Sequence, residues 1–137
     1  MARIHFAEFG ETPFQRLLGH NQDILKSWTK LEEVFLQSQK LSPELKEQVR
    51  RTLAFGNGCQ YCMSKGKPDE VQPDGKQALA VAFADMVMKD HLMIDESHFG
   101  VLREEFSEKG IAELCAYICF ITASQMFGAI MNLAPDA

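Results

Sequence analysis

The sequence predicts an all-α fold, a helical bundle closed by a long apolar C-terminal helix. Apolar residues recur at three- and four-residue steps in several segments, and helix-start pairs such as Thr12-Pro13 and Ser42-Pro43 punctuate them. No segment alternates with the two-residue period of a strand at comparable strength. With 137 residues, 46% of them hydrophobic, the chain fits one domain spanning residues 1–137. No repeat or low-complexity linker divides it.

Thr12 caps a short helix that has proline at its first position and ends near Gly19. Asn21 caps a longer one, in which Ile24, Leu25, Trp28, Leu31, Val34 and Phe35 form an apolar stripe expected to face the core. Ser42-Pro43 starts a third helix carrying Leu45, Val49, Leu53 and Ala54, and Gly56-Asn57-Gly58 stops it. Cys59 then starts a fourth. Prolines, glycines and charges make the stretch from Lys65 to Gly75 an exposed loop. Ala78, Leu79, Ala82, Phe83, Met86 and Val87 mark a fifth helix, and Asp95 caps a sixth holding Phe99, Leu102 and Phe106. Ser107 precedes the last, expected from about Ile111 to Leu133.

A formal charge of −5 and a pI near 5.3, with both signs scattered, argue against a nucleic-acid or anionic-membrane surface. The residues after Met1 lack the apolar run of a signal peptide, so a cytoplasmic location is expected. From Ala116 to Leu133 no residue is charged, which is close to the length of a membrane span. Thr122, Ser124, Gln125 and Asn132 within it, and the absence of flanking basic clusters, favour a helix buried in a soluble assembly.

The chemistry concentrates in Gly58-Cys59-Gln60-Tyr61-Cys62. Two thiols two residues apart can close a small disulfide or hold a metal, and a helix start favours thiolate over thiol. In a reducing compartment such a pair points to redox or metal chemistry rather than to a structural staple. Eleven residues separate Glu47 from Cys59. Folding across the glycine turn would bring this carboxylate within reach of the thiols as one end of a proton relay. Which cysteine attacks stays open: Cys59 lies nearer the helix start, whereas Lys65 would share a helix face with Cys62.

The spacing Glu, eleven residues, Cys, two residues, Cys, worded Gly-Cys-Gln-Tyr-Cys around the thiols, resembles the AhpD-like (alkylhydroperoxidase D-like) branch of the carboxymuconolactone decarboxylase family, over residues 40–133. The resemblance implies an AhpD-like helical bundle that assembles as a homo-oligomer and needs no cofactor. It also implies a dithiol-disulfide couple reducing a peroxide or a partner disulfide, with Cys62 attacking, Cys59 resolving, Glu47 as relay carboxylate and a dithiol protein or small thiol as reductant. One departure stands out. The family has histidine after three intervening residues beyond the second cysteine, and this chain, with Met63, Ser64 and Lys65 between, has Gly66 there. A non-catalytic or redox-sensing helical oligomer is therefore the alternative, and Gly66→His, expected to sit in a continuing helix, is the variant that restores the relay.

Cys115 and Cys119, four apart on the last helix, are read as core residues rather than as zinc ligands completing a set with Cys59 and Cys62. No metal site is expected. His5, His20, His91 and His98 are read as solvent-facing or hydrogen-bonded, and Met86, Met88, Met126 and Met131 as core filler. The apolar last helix is expected at a subunit interface, with Ile118 and Phe120 taking part. No phosphate-binding loop, His-Glu-x-x-His or Gly-x-Ser-x-Gly motif occurs.

Overall fold

The computed structural model describes residues 1–136. Seven α-helices follow one another: α1 (Pro13–Leu18), α2 (Gln22–Gln37), α3 (Pro43–Asn57), α4 (Gln60–Met63), α5 (Gly75–Asp90), α6 (Glu96–Leu102) and α7 (Glu108–Ile130). A 3-10 turn at His91–Met93 joins α5 to α6, and no strand occurs among the described residues. The all-α bundle with a long apolar last helix is therefore the observed architecture.

Local chemistry explains the helix starts. Thr12, Asn21, Ser42, Asp74, Asp95 and Ser107 each accept a hydrogen bond from a backbone N–H of the first turn they cap. At Asp95 the cap is reciprocal, because His98 Nδ1 accepts from the Asp95 backbone N–H at 3.0 Å. α3 ends on Gly58, whose φ of 69° turns the chain out of the helix in a conformation that costs glycine little. α7 begins at Glu108 and ends at Ile130, three residues to the N-terminal side of the expected Ile111 and Leu133 at both ends.

α3 lies at the centre, between α5 and α7. Val49, Leu53 and Ala54 of α3, Ala80, Phe83 and Ala84 of α5, and Leu114, Tyr117 and Ile118 of α7 are buried together, with Leu102 and Phe106 closing one end. α2 covers α7 through aromatics: Phe35 stands 5.5 Å from Tyr117 and 5.3 Å from Phe120, and Trp28 stands 5.8 Å from Phe120. Lys46, almost wholly buried, donates to the main-chain oxygens of Phe35 at 2.7 Å and Ser38 at 2.9 Å, so it caps the end of α2 from α3.

Several expectations are corrected here. Of the α2 stripe only Phe35 is buried, while Ile24, Leu31 and Val34 are exposed. The reason is that α2 meets the bundle along one narrow edge. α7 is long and apolar enough by length and composition to cross a membrane, yet only 39% of its most apolar window is buried within the chain. Ala112, Ala116, Cys119, Ala123, Met126 and Ile130 lie along its outer side and are all exposed. Ile118 and Phe120, by contrast, belong to the core of the chain itself and not to the exposed side expected of an interface.

Candidate functional site

The αL turn at Gly58 reverses the chain so that α4 lies against the ends of both α3 and α7. Cys59 is the N-cap of α4 and Cys62 its third residue, and the two form a disulfide with a Cα–Cα distance of 5.2 Å. Cys59 is fully buried and Cys62 half-buried. The Cys62 backbone N–H donates to Cys59 Sγ at 3.2 Å, so the buried sulfur serves as the helix cap. α4 is a single turn. Its dipole is correspondingly small, and Lys65 and Gly66 lie beyond its end, contrary to the expected continuing helix.

Two residues of α7 make room for this arrangement. Gly128 faces the disulfide so closely that a Cβ there would fall 2.7 Å from Cys59 Sγ. Gln125, buried, accepts from Asn57 Nδ2 at 2.9 Å and donates to the Arg50 main-chain oxygen at 3.1 Å, pinning the end of α3 to α7. Neither role shows in a sequence, because both depend on which residue of α7 stands opposite the glycine turn.

Glu47 reaches the neighbourhood of the thiols indirectly. Its Oε1 accepts from Arg50 Nε at 2.5 Å and lies 3.7 Å from Arg51 Nε. Arg50 Nη1 in turn donates to the Cys62 main-chain oxygen at 3.2 Å, and Arg51 Nη1 donates to that of Lys67 at 3.2 Å. Arg50 Nη2 and Arg51 Nε are buried without a hydrogen-bond partner among the described residues. Neither arginine stands in the cysteine motif, although their i+3 and i+4 spacing from Glu47 is the helical ion-pair signature. Glu47 also lines a shallow cleft of about 470 Å³ with Gln48, Arg51 and Asp69.

Lys65 Nζ sits 4.8 Å from the centre of the Tyr61 ring. Partial burial, with the Arg50 charge behind it, lowers the Lys65 pKa, and Glu32 and Glu47 oppose that shift. Gly66 has a φ of +123°, and a Cβ on it would lie 3.3 Å from Arg51 Cζ. A histidine there would be strained in its backbone and would meet a guanidinium. This corrects the expectation that Gly66→His is readily accommodated.

The histidines are engaged elsewhere. His20 Nε2 is 2.6 Å from the His5 main-chain oxygen, His98 caps α6, and His91 lines a cleft of about 460 Å³ with Met88, Cys119 and Met126. Cys115 is half-buried and Cys119 exposed, so the pair is not the closed core pair expected. Burial, and then the neighbouring Cys119, raise the Cys115 thiol pKa. No cluster of three or more His, Cys, Asp or Glu able to hold a metal occurs among the described residues.

Neither a protein family nor a curated protein matches the sequence. The fold is similar to a solved structure, an uncharacterised peroxidase-related protein from Silicibacter sp. TM1040. The two share a TM-score of 0.78 at 19% identity, over 90% of this chain and 75% of that one, a likeness that establishes the fold.

Proposed function

We propose that this chain is an AhpD-like, thiol-dependent oxidoreductase, whose Cys59/Cys62 couple reduces a peroxide or a partner disulfide. The observation that carries this reading is the disulfide itself, with one sulfur on fully buried Cys59 under Gly128 and the other on half-buried Cys62. Asymmetric access assigns the roles. In the reduced protein the Cys62 thiolate attacks one peroxide oxygen, the O–O bond breaks, and the departing alkoxide takes a proton to leave as alcohol. Cys62 is now a sulfenic acid. The Cys59 thiol condenses with it, releasing water and forming the disulfide, and a dithiol protein or small thiol returns two electrons and two protons. Toward a disulfide substrate the same thiolate forms a mixed disulfide that Cys59 resolves. Glu47 acts here by anchoring Arg50 rather than by touching the thiols. The working form is a cytoplasmic homo-oligomer joined along the exposed outer side of α7, a face without charge and with large apolar residues at Met126 and Ile130.

Steady-state reduction of hydrogen peroxide, an alkyl hydroperoxide and a small protein disulfide, with dithiothreitol as donor, tests the reading. Cys62→Ser should abolish turnover, and Cys59→Ser should leave a trappable sulfenic acid on Cys62. Turnover unaffected by Cys62→Ser would refute it. The second reading, a redox-responsive helical oligomer without turnover, is favoured by Gly66 and by the Arg51 guanidinium that covers it. It requires that reducing the disulfide change the oligomeric mass while every substrate stays untouched.

A further inference from the structure

Arg50 is a largely buried cation whose Nη2 has no partner among the described residues. Only 16% of its side chain is exposed, and its single carboxylate partner, Glu47, is 41% exposed and shared with Arg51. Its remaining contacts are the Cys62 main-chain oxygen and nothing at all for Nη2, among the described residues. A buried guanidinium costs free energy unless an anion or several acceptors face it. The surrounding titratable and charged groups are Glu47 and Arg51 on α3, Tyr61 and Lys65 around α4, Glu32 on α2 and Tyr117 on α7. Lys65 adds a second cation on the open side, and Asp69 sits 3.9 Å from Arg51, on its far flank. Of these charged side chains, Arg50 is the one that donates to Cys62.

We propose that Arg50 stabilises the Cys62 thiolate of the reduced protein by its charge, and holds α4 in place through the Cys62 main-chain oxygen. Cys62 Sγ and the Cys62 oxygen belong to one residue, so a guanidinium bonded to the oxygen lies within several ångströms of the sulfur. Reduction by a dithiol donor converts the disulfide to two thiols, and Cys62 then releases its proton to solvent. Arg50 remains charged throughout, since a guanidinium does not deprotonate in this range. It is a positioning residue. The inference rests on the dithiol reading above, and its test is independent of turnover.

The test is the pH dependence of iodoacetamide alkylation at Cys62, followed by peptide mass in the full-length Cys59→Ser protein. The midpoint should lie below the ordinary thiol value of about 8.5. Arg50→Gln should raise it by about one unit, a roughly tenfold loss of thiolate below the midpoint, and Arg50→Lys should recover most of the shift. An ordinary midpoint in the parent, or one that Arg50→Gln leaves unmoved in a protein whose thermal unfolding is intact, overturns the proposal. Should Arg50→Gln fail to fold, the parent and Arg50→Lys decide: low midpoints in both sustain it, and an ordinary midpoint in the parent ends it. Turnover with an ordinary midpoint removes Arg50 alone. A low midpoint without turnover removes only the oxidoreductase reading.

Discussion

Gly128→Ala should make the disulfide easier to reduce. The added methyl would fall 2.7 Å from Cys59 Sγ and 3.9 Å from Cys62 Sγ, whereas ordinary non-bonded contacts lie at about 3.5–4.0 Å. The sulfur or α7 must therefore yield by about 1 Å. In the oxidised protein Cys59 Sγ is tied to Cys62 and packed at zero exposure, so the strain falls on the backbone of α4 and α7. Overpacking of this kind costs about 1–3 kcal/mol. In the reduced protein the thiol can rotate away, and the exchange instead gains up to about 1 kcal/mol of helix propensity in the interior of α7. The propensity gain is common to both states and cancels, leaving a difference of about 1–3 kcal/mol against the disulfide. Since 30 mV corresponds to about 1.4 kcal/mol for a two-electron couple, the reduction potential should rise by about 20–60 mV. Equilibration in dithiothreitol or glutathione redox buffers, with thiols counted after acid quenching, measures it. Urea unfolding of both redox forms should show the oxidised protein losing more stability than the reduced one. A potential that is unchanged, or lower, would mean that Gly128 does not constrain Cys59.

Other outcomes follow from the same geometry. In the reduced native protein Cys119 and Cys62 should take up a thiol reagent faster than Cys115 and Cys59, and Cys115 should need higher pH than Cys119, by peptide mapping. Lys46→Met leaves two main-chain oxygens at the end of α2 without their donor and should cost about 2–3 kcal/mol in urea unfolding. Burial, and then the Glu47 charge, raise the Tyr117 pKa, so above pH about 10 the unfolded chain loses this proton before the folded one does. Stability should therefore fall as pH climbs past that point, and Tyr117→Phe should flatten the fall; an unaltered slope would refute the assignment. Met126→Glu places a charge on the exposed side of α7 and should dissociate the proposed homo-oligomer while leaving the single chain folded, by light scattering with circular dichroism. The same charge at Ile118 should unfold the protomer instead.

What could be read from the sequence is what local chemistry decides. Thr12, Asn21, Ser42, Asp95 and Ser107 cap helices because a short polar side chain satisfies the N–H groups just ahead of it, whatever the rest of the chain does. The Cys59/Cys62 pairing is local in the same sense, since only two residues intervene and one helical turn brings the sulfurs together. Tertiary packing decided the remainder. The α2 stripe has the correct period, yet periodicity says only that Ile24, Leu31 and Val34 share a side with Phe35, not that a neighbour covers it. Cys119 lies in an apolar run that reads as core, and it faces outward because the core of this protomer needs only one side of α7. Gly66 left the helix because α4 ends after four residues, where Arg51 covers the turn. Likewise, Glu47 meets the cysteine turn through a neighbour one turn along α3, bonded to Glu47 through Nε and to the Cys62 main-chain oxygen through Nη1. Arg50 takes the space between them, and no count of residues along the chain reveals which of several neighbours will fill a gap that only folding creates.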